Sequence, residues 1–167
     1  MTFNKNLLTA TLLTFGGFAA MSGANAAVED TFGITLAVET ACNIATGATA
    51  DIDLGTVNDG SIKTATTSIE VLCSLGTPYQ LALTPSSDSD VGIGALQVAG
   101  AGTSIDYQLT QTVGSAVWGN IVGTNTLDEI GDGVLAGESH SVTATTTSAT
   151  DVAPGAYTDT VTVNLTF

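Results

Sequence analysis

An all-β sandwich of six or seven short antiparallel strands is the fold this sequence predicts. Three observations lead there. Apolar and polar residues alternate with period two along much of the chain, the mark of strands that bury one face. Thr and Val are dense, and β-branched side chains pack well on a pleated surface. Turn-forming clusters separate the alternating runs: Asn58-Asp59-Gly60, Gly76-Thr77-Pro78, Thr84-Pro85-Ser86, Gly100-Ala101-Gly102 and Ala153-Pro154-Gly155. No segment beyond residue 26 combines helical periodicity with caps. The length, 167 residues, suits one domain.

The elements follow in chain order. Residues 1–26 read as a secretory signal peptide, with Lys5 in a positive start, an apolar stretch from Leu7 to Met21, and Ala24-Asn25-Ala26 before the cleavage point. That stretch is about fifteen residues, short of the roughly twenty that cross a bilayer. Residues 27–38 form an alternating extension. Val28, Phe32, Ile34, Leu36 and Val38 share one parity, interrupted only by Asp30, while Glu29, Thr31, Gly33, Thr35, Ala37 and Glu39 take the other. The domain proper is 39–167. Its shorter runs are Ile52/Leu54, Ile69/Val71, Tyr79/Leu81/Leu83, Ile105/Tyr107/Leu109 and Val142/Ala144. The weakly patterned residues 116–139 read as a long loop with short pieces of order. A strong run closes the chain: Tyr157, Val161, Val163, Leu165 and Phe167 on one parity, with Thr158, Thr160, Thr162, Asn164 and Thr166 on the other.

Cysteine usage agrees with export. Cys42 and Cys73 are the two cysteines, and an even count in an exported chain favours one disulfide. Closing a loop of about thirty residues adds roughly 3–4 kcal/mol in the chain-entropy description. Two thiols so far apart, with one His in the chain, fit no zinc pattern.

Charge and composition exclude several functions. Two Lys+Arg face 16 Asp+Glu, for a formal charge of −14. Nucleic acid and anionic membrane surfaces need clustered cations, which this chain lacks. Disordered acidic chains are poor in apolar residues, whereas 44% of this chain is hydrophobic. A hydrolytic site is hard to assemble. His140 lies in Gly-Glu-Ser-His-Ser, but neighbouring strand residues point to opposite faces, so Ser139 and Ser141 cannot serve it as nucleophile. An exposed histidine at a strand end and a non-catalytic protein are the expectation, with no cofactor. Asp51/Asp53, Asp88/Asp90 and Asp128/Glu129/Asp132 offer oxygen ligands for calcium, yet none completes a calcium loop. Solvated acidic turns explain them more simply. Gly92-Ile93-Gly94 and Gly100-Ala101-Gly102 lack the spacing of a nucleotide-binding turn. Trp118, followed by Gly119, reads as a core plug more readily than as a sugar-stacking ring.

Several short motifs, in order, resemble one family. Cys42 is followed by Ile52-Asp53-Leu54-Gly55, where Leu54 stands in place of an aromatic, then by Val71-Leu72-Cys73 with Gly76 and Tyr79-Gln80-Leu81-Ala82-Leu83. Ile105-Asp106-Tyr107-Gln108-Leu109, Trp118-Gly119 and Pro154-Gly155-Ala156-Tyr157-Thr158-Asp159-Thr160-Val161-Thr162-Val163 complete the set. Residues 27–167 thereby resemble the spore coat protein U domain family, which includes major pilins of archaic (Csu-type) chaperone-usher pili. The resemblance implies an incomplete immunoglobulin-like sandwich, completed by a donor strand from a neighbouring subunit. It implies that Val28, Phe32, Ile34, Leu36 and Val38 insert into that neighbour, and that Tyr157, Val161, Val163, Leu165 and Phe167 line the receiving groove. The implied partners are a periplasmic pilus chaperone, an outer-membrane usher and further copies of the chain in a homopolymer. The implied location is a fimbrium at the cell surface, supporting attachment and biofilm formation. The other readings are a secreted coat or matrix protein of the same fold, and an acidic extracellular module that binds sugar or calcium.

Overall fold

Ile69, Val71 and Cys73 alternate along one strand because a second sheet covers that side, and all three are sealed from solvent. A computed structural model describes residues 28–45, 51–87, 90–100, 102–111 and 116–167. The expected signal peptide, 1–26, lies outside them. The chain divides into two units, Met1–Ala37 and Val38–Phe167.

In the first unit, residues 28–37 adopt neither helix nor strand. Their apolar side chains are almost fully exposed: Val28 94%, Phe32 86%, Ile34 86% and Leu36 88%. Val38, at the start of the second unit, is 85% exposed.

The second unit is an all-β sandwich. Its strands are β1 (Cys42–Ile44), β2 (Thr64–Cys73), β3 (Pro78–Pro85), β4 (Ile93–Gln97), β5 (Ser104–Thr110), β6 (Leu127–Ile130), β7 (Glu138–Thr146) and β8 (Val161–Thr166). They form a five-stranded sheet in the order β1-β2-β7-β5-β4 and a three-stranded sheet in the order β6-β3-β8. Every pairing is antiparallel. The core lies between the sheets, where Ile69, Val71, Leu109, Val142 and Ala144 from one face Tyr79, Leu81 and Leu83 from the other.

The expected fold class stands, and the strands among the described residues number eight. Three were not foreseen: the three-residue β1, β4 and β6. In β4 the small Gly94 sits beneath the Tyr107 ring, where an added Cβ would lie 2.1 Å from a ring carbon. Gly94 and Tyr107 are opposite one another in the ladder, so an aromatic covers the backbone of a residue that shows no apolar signal. In β6 three of four residues are exposed, and pairing with β3 supplies order without alternation. The stretch 116–139 thus contains a strand of the smaller sheet as well as loop. Ile52 and Leu54 alternate and pack on the core but form no strand.

Cys42 and Cys73 are direct partners across β1 and β2, and a disulfide joins them with the Cα atoms 4.1 Å apart. Trp118 is wholly buried and ties the two sheets together. Its indole N–H donates to the Leu81 carbonyl at 2.9 Å, and its backbone N–H donates to Leu109 at 3.0 Å. The glycines around it are required by contact. At Gly92, which has φ +68°, a Cβ would lie 1.9 Å from the Trp118 carbonyl oxygen, and at Gly119 it would lie 2.3 Å from that of Asp90.

Candidate functional site

Strand β8 ends the smaller sheet, with β3 on one side and, among the described residues, no strand on the other. The effect on burial is direct. Inward residues of β3 are sealed, with Leu81 at 0% and Leu83 at 1% exposure. Val161, Val163 and Leu165 point the same way from β8 and are only partly buried. Against Val161 and Val163 lies a cavity of about 500 Å³ between the sheets. Its walls are Ile69, Tyr107, Leu109, Val142 and Ala144 of the larger sheet, Leu83, Val161 and Val163 of the smaller, and Ile52, Leu54 and Tyr157 from connecting segments. An apolar slot beside an unpaired strand edge can accept an extended segment, which gains ladder hydrogen bonds and side-chain burial together.

The closing run divides between the sheets. Thr158 bridges to Gln97 at the end of β4, with hydrogen bonds of 2.9 Å in both directions. From Val161 the chain pairs with β3 instead. Tyr157, Val161 and Val163 line the cavity, and Leu165 packs on the core beyond it. Phe167 lies outside the cavity wall, 60% exposed, in a shallow depression with Pro78, Tyr79, Gln80 and Ile130. It follows Thr166, the last residue that β3 holds in register, so no ladder aims it inward.

Asp159 is the polar member of the inward parity and sits at one end of the cavity. Tyr107 Oη donates to Asp159 Oδ2 at 2.8 Å, Ser87 Oγ to the same oxygen at 3.0 Å, and Thr160 N–H to Oδ1 at 2.7 Å. Ser86 Oγ also donates to Oδ1. Burial pushes the carboxyl pKa up, but donation from Ser86, Tyr107, Thr160 and Ser87 outweighs it and holds the group below the ordinary carboxylate value. Burial first, then the bond to Asp159 and its charge, raises the Tyr107 phenol, which therefore stays a donor. The knot joins β5 of one sheet to the entry of β8 in the other. Sequence reasoning did not assign it, although its members lie in the Ile-Asp-Tyr-Gln-Leu and Tyr-Thr-Asp-Thr motifs.

His140 corrects the expectation of an exposed strand end. It is the third residue of β7, its side chain is 15% exposed, and its Nε2 lies 2.6 Å from the Tyr79 hydroxyl. Tyr79 Oη donates to Glu138 Oε2 at 2.5 Å. Burial chiefly, with Glu138, Glu129 and Asp132 adding to it, raises the Tyr79 pKa. Ser139 and Ser141 point outward, so the histidine links sheets and neither neighbouring serine faces it. Among the described residues no three His, Cys, Asp or Glu side chains gather as a metal site. Asp53 Oδ1 instead accepts the Gly55 N–H, and Asp128 Oδ1 accepts the Thr126 hydroxyl. Asp88 lies outside the described residues.

These features define a class: a two-sheet antiparallel sandwich whose smaller sheet stops at an open edge above an apolar slot. The chain belongs to the Spore Coat Protein U domain family, which matches residues 28–164. No curated protein matches it. Among solved structures it is similar to a chain in the complex of the chaperone CsuC with the tip adhesion subunit CsuE, from the archaic chaperone-usher Csu pili of Acinetobacter baumannii. The TM-score is 0.53 and the identity 24%, over 78% of this chain and 40% of that one. A chain in a chaperone-tip adhesin complex of CFA/I fimbriae gives a TM-score of 0.51 and 11% identity, over 75% of this chain and 41% of that one. The likeness is one of fold, and this chain spans about two fifths of each of those chains.

Proposed function

We propose that this protein is a structural subunit of an extracellular pilus, assembled by the chaperone-usher route through donor-strand complementation. The observation that carries the reading is the unpaired edge of β8 beside the apolar cavity. An open edge of this kind invites unwanted pairing unless another strand covers it. In the periplasm a chaperone strand covers it. At the outer-membrane usher the extension of the next subunit, residues 27–38, takes its place, with Val28, Phe32, Ile34, Leu36 and Val38 directed inward. The exposure of those side chains and their shared parity support this role. The chaperone-bound state of the solved neighbours supports the chaperone as partner.

The domain boundaries of this reading are a signal peptide over 1–26, the extension over 27–38 and the sandwich over 39–167. An oxidising periplasm preserves Cys42–Cys73. The role is mechanical and non-catalytic, in a homopolymer at the cell surface that supports attachment and biofilm formation.

The test is the double substitution Ile34→Asp and Leu36→Asp, expressed with chaperone and usher. Charge in an apolar slot costs several kcal/mol per ion. Filaments should vanish from electron micrographs while chaperone-bound monomer accumulates. Normal filaments would overturn donor-strand assembly, and wild-type protein secreted without filaments would favour the coat-protein reading.

A further inference from the structure

We infer that the end of the sandwich from which the extension departs is itself a contact surface for the copy of this chain that receives the extension, a conclusion resting on the donor-strand reading. Ala41 is held there by hydrogen bonds to Ser74: its N–H donates to Ser74 Oγ at 2.9 Å, and its carbonyl accepts from the Ser74 N–H at 2.8 Å and from Ser74 Oγ at 3.2 Å. Beside this anchor, two loops are laced together. The Gly76 N–H donates to the Gly131 carbonyl at 2.7 Å, Gly131 N–H to Thr77 at 2.9 Å, and Gly133 N–H to Cys73 at 3.0 Å. Gly131 permits the approach, because a Cβ there would lie 2.6 Å from the Cys73 Cβ. These held loops display large apolar side chains outward, Leu75 at 80% exposure, Leu135 at 99% and Val134 at 48%, and Ile130 at the end of β6 is 64% exposed. An apolar group of this kind marks an interaction site more often than chance.

Chain length says what covers it. Three residue steps separate Val38 from the anchored Ala41, and an extended chain spans at most about 10–11 Å over them. A neighbour holding Val38 in its cavity must therefore stand within that distance of Ala41, which is bonded to Ser74, the residue before Leu75. Direction follows from propagation. If Val38 entered at the Phe167 end, like ends would meet and the pair would close on itself; an open filament requires unlike ends. Val38 thus sits at the Asp159 end, and the extension runs antiparallel to β8. The Leu75/Leu135 end then abuts the opposite end of the neighbour, built from the loops that Thr150 joins to Gly60 and Ser61. That end presents Ile62, 61% exposed.

A photo-crosslinking residue tests this in the full chain assembled with chaperone and usher. Leu135→p-benzoylphenylalanine should yield covalent subunit dimers from irradiated filaments, joined to the neighbour within 56–63 or 150–157, and none from chaperone-bound monomer. Filaments without that crosslink, or with residue 135 joined to residue 135, would overturn the contact. The same probe at Ile34 reports on the underlying reading. If it reaches the neighbour while the probe at 135 does not, donor-strand assembly stands and the end contact fails; if it does not, the donor-strand reading itself fails.

Discussion

Residues 32–38 and residues 161–167 carry the same alternation, apolar on one parity and polar or small on the other, yet they meet different surroundings. The closing run has β3 for a partner, and its inner side chains are partly buried above the cavity. The extension has no ladder partner among the described residues, and its apolar side chains stand in solvent. Alternation specifies which face a strand will bury. It does not say whether the same chain provides the cover. In the proposed donor-strand assembly, the exposed period-two segment is a strand awaiting its sheet, and the half-covered β8 is a sheet awaiting its strand.

That contrast can be broken from either side. The largest effect should come from β8. Val163→Asp places a carboxylate on the wall of the cavity, at a cost of several kcal/mol, and it should damage the subunit before any assembly. Soluble chaperone-bound protein in periplasmic extracts should fall sharply, whereas the Ile34/Leu36 aspartate pair should leave its yield intact. Equal yields would mean that β8 and the extension do not differ as described.

A smaller effect should come from the knot at the head of β8. Tyr107→Phe removes one donor to a charged acceptor and should cost about 1.5–3 kcal/mol in denaturant unfolding of the complemented subunit. The acid dependence has a fixed sign. Asp159 has its folded pKa held below the ordinary carboxylate value, so its contribution is complete above that ordinary value and is lost as pH falls through the folded one. Wild-type protein should therefore lose stability more steeply below about pH 4 than Asp159→Asn. Parallel curves would remove Asp159 from the account. The smallest effect belongs to His140→Ala, about 0.5–1.5 kcal/mol, because Tyr79 keeps its bond to Glu138. Filament yield should be unchanged.

The sandwich was legible because its core strands carry clean alternation: Ile69/Val71, Tyr79/Leu81/Leu83 and Ile105/Tyr107/Leu109 each present one sealed face. Legibility failed where order comes from neighbours. Gly94 is covered by a ring from the next strand, and Leu127–Ile130 is a mostly exposed edge. Neither has a local signal to read. Ile52 and Leu54 mislead in the other direction, since a loop residue can pack on a core without pairing. The closing run was read as one strand although it serves both sheets, and the turn falls at Asp159, whose parity continues unbroken. The cavity is legible only in three dimensions, because it is bounded by residues as distant as Ile52 and Val163.

The disulfide also has a mechanical meaning. Any pull on residues ahead of Ala41 arrives next at Cys42, the first residue of a strand only three residues long. Held by hydrogen bonds alone, so short a strand would peel from β2 one pair at a time under load. Its first rung is instead covalent, joined to Cys73, the last residue of a ten-residue strand that pairs on its other side with β7, the central strand of the larger sheet. Tension therefore bypasses the weak rungs and enters the β2–β7 ladder lengthwise, where many bonds share it in shear.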